Sequence, residues 1–172
     1  MPTSSRAILM TAGDVSGDVH TAALARVFLQ RHPDYTLRVL GGARLQAVAA
    51  ETPGSDVLGD TTNCSAIGIL SAIKVFFRCR KLQMQLYRFL DRNRVDAAVL
   101  CDWGAFNGRI VSELHARGIP VLYYFPPRSW QRSESAGLGI VPYVNRVATP
   151  FEWSAQQLRA AGCSAEWVGH PA

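Results

Sequence analysis

Three short segments of this sequence combine residue types that could hold or transform a small polar ligand. The first is Ala12-Gly13-Asp14-Val15-Ser16-Gly17-Asp18, which follows an apolar run and leads into a helical pattern. Its glycines, Gly13 and Gly17, let backbone N–H groups approach a ligand at a helix amino terminus. Asp14, Ser16 and Asp18 add two carboxylates and a hydroxyl, a set suited to a polyol such as a sugar. The same residues equally suit a tight strand-to-helix turn with Ser16 or Asp18 as its N-cap. The spacing is not GxGxxG, so dinucleotide binding is not indicated.

The second segment begins at Asp102, directly after the apolar run Ala97 to Cys101. A carboxylate at that lip can serve as a general base, and the competing structural roles are capping a helix that begins near Asn107 or pairing with Arg109. The third holds Arg128, Trp130 and Arg132, where an indole between guanidinium groups can stack on a sugar face or hold a phosphate, or can anchor a packed loop. His20, His32 and His115 read as ordinary helix residues.

These segments need a scaffold, and the hydrophobic pattern supplies one. Short apolar runs at Ala7 to Ala12, Leu37 to Leu40, Ala97 to Cys101, Pro120 to Phe125, Val144 to Thr149 and Glu166 to Gly169 alternate with helical patterns near 19–30, 66–93, 108–117 and 151–161. Strands that read as continuous apolar runs between helices indicate a parallel sheet covered on both faces. The expected fold is therefore α/β, a doubly wound, mostly parallel Rossmann-like sheet. In such a sheet ligands bind at the carboxyl ends of the strands, where the loops Gly13 to Asp18, Gly41 to Arg44, Asp102 to Asn107 and Pro126 to Arg132 lie.

Composition narrows the function further. The chain has 172 residues, enough for one compact domain, and 48% of them are hydrophobic. The longest apolar run near the start is far too short for a signal peptide or a membrane span. Cys64, Cys79, Cys101 and Cys163 are too widely spaced for a CxxC pair or a dense disulfide framework, so reduced cysteines in a cytoplasmic protein are expected. The net charge of +5 resides in one stretch, Lys74 to Arg94, with seven basic residues against the single acid Asp91. The remainder is nearly neutral, and no basic tail, zinc-finger spacing or RNA-binding signature points to nucleic acid.

Within that basic stretch, Lys74, Arg78, Lys81, Arg88 and Arg92 recur at helical spacing, and Ile69, Leu70, Ile73, Phe76, Phe77, Leu82, Leu86, Phe89 and Leu90 are expected on other faces. An ordinary surface helix with a solvated basic edge would look like this. So would a membrane-surface contact, with Lys74, Arg78, Lys81 and Arg88 resting on anionic headgroups.

The segments also resemble those of a family. Ala12 to Asp18 is similar to the AGE-x-SGD loop of lipid-A-disaccharide synthases, and Gly41-Gly42-Ala43-Arg44-Leu45-Gln46-Ala47 to their GGPRMQA loop. Ile67 to Ile73 resembles MGIVEVL, Asp102 with Phe106-Asn107 resembles IDAPDFN, and Tyr124 through Trp130 resembles YVSPSVW. Pro150-Phe151-Glu152 and Val168-Gly169-His170-Pro171 resemble PFE and VGHP, so the blocks run in order over almost the whole chain.

The resemblance implies the acceptor-binding amino-terminal domain of an inverting GT-B glycosyltransferase, spanning 1–172 and ending at the inter-domain hinge near His170, with a carboxy-terminal donor-binding domain absent. It implies a 2,3-diacylglucosamine 1-phosphate acceptor, a UDP-2,3-diacylglucosamine donor bound through that absent domain, a β-1,6 bond formed with inversion, no catalytic metal and no cofactor. It further implies a cytoplasmic enzyme, peripheral on the inner face of the cytoplasmic membrane. Residue by residue it assigns Asp102 as the base, with Asp14 as its rival. It assigns Gly13, Ser16, Gly17, Asp18, Arg44, Phe106, Asn107, Arg128 and Trp130 to the substrate. Several positions depart from the family pattern: Asp14 replaces Glu, Gly104-Ala105 replaces Pro-Asp, Gln131-Arg132-Ser133 follows Trp130, and Ser135 to Ile140 is uncharged. Two alternatives follow from these departures, a paralogue that transfers another sugar and a non-catalytic Rossmann-like binding module.

Overall fold

A computed structural model describes residues 6–62, 64, 69–127 and 138–171. The chain divides into two compact units, Met1–Asp96 and Ala97–Ala172. Among the described residues seven strands, all in parallel pairings, alternate with five α-helices, so the α/β, Rossmann-like expectation is met.

In the first unit β1 (Arg6–Ala12) pairs with β2 (Tyr35–Gly41), which pairs with β3 (Asp56–Asp60). β1 is buried from Ala7 to Ala12 without alternation, which is why it reads as a continuous apolar run. The helices are α1 (Val15–Arg31), α2 (Ala43–Glu51) and α3 (Ile69–Leu90). α1 buries its small residues, Gly17, Thr21, Ala22 and Ala25, which allows close approach to its neighbours. Neither α2 nor β3 is expected from the sequence pattern. α2 buries only Leu45, Val48 and Ala49, and β3 has no fully buried residue, so each carries a weak apolar period.

In the second unit β4 (Ala97–Cys101), β5 (Val121–Tyr124), β6 (Arg146–Thr149) and β7 (Ala165–Trp167) pair in chain order. α4 (Gly104–Ala116) and α5 (Glu152–Ala160) cross between them, and a short 3-10 helix covers Leu138–Tyr143. α4 buries Phe106, Asn107, Ile110, Val111 and Leu114 along one stripe. It starts earlier than its pattern near 108 indicates, because Trp103 rather than a residue near Asn107 is the N-cap. None of the four cysteines forms a disulfide, and burial pushes the Cys64 thiol up to about 11.

α3 departs from the expected division of faces. Leu82, Leu86 and Leu90 are buried as expected, whereas Ile73, Phe76, Phe77 and Met84 are exposed. At 100° per residue these four share a solvent face with Lys74, Arg80, Lys81 and Arg88. Arg78 is partly withdrawn from that face, since its guanidinium pairs with Asp60 at 3.7 Å and donates to the Asp60 carbonyl. The Asp60 carboxyl is held below its ordinary range, first by the Thr62 hydroxyl and then by the Thr62 N–H. No helix among the described residues is long and apolar enough to cross a membrane.

Candidate functional site

In the first unit the loop after β1 turns directly into α1, and its N-cap is Asp14. The Asp14 carboxylate accepts from the Gly17 N–H at 2.5 Å, which corrects the expectation that Ser16 or Asp18 would cap. Both of those lie inside the first turn. Asp14 and Ser16 are exposed, and Gly13 and Gly17 are buried.

Asp18 is buried and its carboxylate is committed to backbone. Oδ1 accepts from Gly42 N at 2.8 Å and Leu45 N at 3.2 Å, and Oδ2 accepts from Arg44 N at 2.9 Å. Three donors at the start of α2 therefore end on one anion, where the helix dipole also favours negative charge. Gly42 is the N-cap of α2 and has no side chain to do this work. A Cβ there would stand 2.8 Å from Asp18 Oδ2, so glycine makes room for the carboxylate. Gln46 closes the same corner by donating to the Gly41 carbonyl at 2.8 Å. The two loops that resemble family blocks thus form one structural corner. Arg44 is exposed on it.

In the second unit the chain leaves β4 through two consecutive left-handed residues, Asp102 at φ 41° and Trp103 at φ 40°. Each costs about 1–2 kcal/mol for an L-residue. Hydrogen bonds of roughly 1 kcal/mol apiece offset that cost. The Asp102 N–H donates to the Tyr124 and Phe125 carbonyls, each at 3.2 Å. The Trp103 carbonyl accepts from Phe106 N at 3.0 Å and Asn107 N at 2.9 Å, which opens α4. The Trp103 ring lies on the Phe106 ring, 4.0 Å between centroids and 12° from parallel.

Asp102 is half-buried at this turn and stands two residues ahead of α4. Phe106 and Asn107 are buried, so they frame the turn rather than line an open surface. Ala105 is exposed, and Gly104 packs under Pro127, where a Cβ would stand 2.9 Å from Cγ. Two residues of this turn are invisible to motif reasoning, Trp103 and Tyr123. The Tyr123 hydroxyl donates to the Asp102 carbonyl at 2.5 Å. Its one signal in the sequence is that a phenol inside an apolar strand must find a partner for its hydroxyl.

A run of rings lies beside this turn: Tyr124 stacks on Phe125 at 4.0 Å, Phe125 faces His170 at 6.4 Å, and Phe151 lies 6.3 Å from His170. Arg128 and Trp130 lie outside the described residues. Among the described residues no group of three or more His, Cys, Asp or Glu could hold a metal ion.

Residues 8–172 match the family described as lipid-A-disaccharide synthetase. Among curated relatives, a lipid-A-disaccharide synthase from Myxococcus xanthus is 34% identical over 95% of this chain and 42% of its own length. One from Koribacter versatilis is 32% identical over 95% of this chain and 42% of its own. The chain therefore spans less than half the length of the relatives it matches. A crystal structure of Acinetobacter baumannii MurG shares the fold with a TM-score of 0.52 at 16% identity, covering 85% of this chain and 41% of that one.

Proposed function

Because the chain belongs to the lipid-A-disaccharide synthetase family over residues 8–172, we propose that it is the acceptor-side part of an inverting GT-B hexosyltransferase. The reaction joins a 2,3-diacylglucosamine 1-phosphate acceptor to the sugar of UDP-2,3-diacylglucosamine through a β-1,6 bond, releasing UDP. The observation that carries this reading is a carboxylate, Asp102, on a strained turn at the carboxyl end of β4, in a chain of this family.

Inversion requires the acceptor oxygen to attack the anomeric carbon from the face opposite the departing UDP. One base must take the hydroxyl proton as the new bond forms. Asp102 has that role here, and Asp14 is the rival carboxylate. Asp14, Ser16 and Arg44, all exposed, are the groups of the first unit available to the acceptor. Arg128 and Trp130 are assigned to its phosphate and sugar face. Gly13, Gly17, Asp18, Phe106 and Asn107 act beneath the site by shaping its loops. A glycosyl-transfer assay of the full-length gene product against a set of UDP-sugars tests the reading, with disaccharide from UDP-2,3-diacylglucosamine as the expected result. Since Ala105 stands where the family pattern has Asp, absence of transfer from every donor would instead favour a binding module.

Two further results are expected. The 172-residue chain spans 42% of the length of the first two relatives, so by itself it should fold yet transfer no sugar. UDP release coupled to disaccharide formation by this chain alone would contradict that.

An acceptor with two acyl chains resides in a membrane, and the solvent face of α3 carries the aromatic and basic residues that suit contact with one: Phe76 and Phe77 beside Lys74, Lys81 and Arg88. Each cation near an anionic surface contributes about 1 kcal/mol and is screened over about 8 Å at physiological salt. Binding to phosphatidylglycerol vesicles should weaken as salt rises. It should fall at least about tenfold when Lys74, Lys81 and Arg88 are changed to Gln. Equal binding by parent and triple variant at every salt concentration would leave α3 as an ordinary solvated helix.

A further inference from the structure

Among the described residues of the second unit three non-glycine residues have positive φ, Asp102, Trp103 and Phe125, and all lie at the carboxyl ends of β4 and β5. A single left-handed residue of this kind is uncommon and two in succession are rarer. Such a conformation persists only where surrounding groups over-determine it. At the Asp102 N–H those groups are main-chain carbonyls, and at the Asp102 carbonyl they are side chains. The Tyr123 hydroxyl on β5 donates to the Asp102 carbonyl at 2.5 Å. The Asn107 carboxamide on α4 donates to the same carbonyl at 3.0 Å and to the Cys101 carbonyl at 3.2 Å. A carbonyl oxygen has two lone pairs, and here two donors from different elements fill both.

Neither donor is placed to meet a ligand, because Tyr123 and Asn107 are both 0% exposed. Tyrosine in a buried strand needs only some partner for its hydroxyl, and a main-chain carbonyl of an adjacent strand would serve. This one instead reaches the carbonyl of Asp102, the first of the two consecutive left-handed residues. Burial pushes the phenol up, so it keeps its proton and remains a donor.

The geometry points to Tyr123 and Asn107 as positioning residues that clamp the Asp102 carbonyl, hold the Asp102–Trp103 pair in its left-handed form, and so fix the Cα–Cβ direction of Asp102. This rests on the reading of Asp102 as the base. Rotation of the Asp102 peptide would carry the carboxylate away from the acceptor hydroxyl, and general-base transfer requires hydrogen-bond reach. A misplacement of about 1 Å can cost on the order of a hundredfold.

The test is a double-mutant cycle in the full-length gene product. Tyr123→Phe removes one oxygen and should lower kcat about tenfold with KM within about twofold and the fold intact by thermal unfolding. Asn107→Ala should act in the same direction and serves as the second probe. In an Asp102→Asn background Tyr123→Phe should add less than about a twofold loss, because a group acting through Asp102 has nothing left to position. A further loss as large as that in the parent, or an unchanged kcat in both single variants, overturns the clamp. Full turnover of Asp102→Asn by itself overturns the base assignment and the catalytic part of this inference with it, so the two failures are distinguishable. Amide exchange gives a readout independent of turnover. The Phe106 and Asn107 N–H groups donate to the Trp103 carbonyl and should exchange at least about tenfold faster in Tyr123→Phe. Unchanged protection also overturns the clamp.

Discussion

Changing Asp102 to Asn in the full-length gene product should lower sugar transfer at least about a hundredfold while leaving the fold and acceptor affinity nearly intact. The substitution keeps the shape of the side chain and its ability to accept a hydrogen bond, but it removes the group that takes the proton. General-base catalysis contributes about 10²–10⁴-fold, equivalent to about 3–5 kcal/mol of barrier. Main-chain groups of Asp102 support the turn: its N–H donates to the Tyr124 and Phe125 carbonyls, and its carbonyl accepts from Tyr123 and Asn107. Asn also tolerates the left-handed region better than most residues, so the turn itself should survive. Asp14→Asn is the necessary companion, because Asp14 is the exposed N-cap of α1. Asn caps a helix about as well as Asp, so this substitution should leave stability nearly unchanged and its effect on turnover can be read directly. Should Asp14→Asn abolish transfer while Asp102→Asn keeps it, the base lies on the first loop.

The second large effect concerns stability. Asp18→Ala should lower the unfolding free energy by about 3 kcal/mol, since three backbone N–H groups lose an anionic acceptor and hydrogen bonds to charged groups are worth about 1.5–3 kcal/mol each. For a chain of this size that is a fall in Tm of roughly 6–12 °C. Asp18→Asn should fall between parent and Ala, because it retains one acceptor oxygen but turns an amide toward the backbone donors. Melting of Asp18→Ala within a degree of the parent would mean that the corner joining α1 to α2 is not held by this carboxylate. Loss of acceptor affinity without loss of stability would return Asp18 to the substrate.

The central strands and the longest helix were legible because burial on both sides leaves an apolar run or a clear helical period. β4 is the clearest case, its apolar run ending where the strand ends and Asp102 following at once. What could not be read depends on tertiary partners. α2 forms on a weak apolar stripe because Asp18 supplies the acceptor for its first turn, a contact 24 residues away in sequence for Gly42. The same contact occupies Asp18, so it is not available as the N-cap, and Asp14 caps α1 instead. The left-handed pair at Asp102 and Trp103 carries no glycine to announce it, and Tyr123, which supports it, sits in a strand that reads only as apolar. On α3 the spacing shows the stripe of cations, but the burial of Leu82, Leu86 and Leu90 is what assigns Phe76 and Phe77 to the solvent side.

The most direct test of an acceptor-side role is a backbone amide NMR titration of the 172-residue chain, once with a short-chain 2,3-diacylglucosamine 1-phosphate and once with UDP. The acceptor should shift amides at Gly13 to Ser16 and at Asp102 to Asn107, and UDP should leave both groups unchanged. Shifts with UDP at those loops and none with the acceptor would contradict the assignment of this chain to the acceptor.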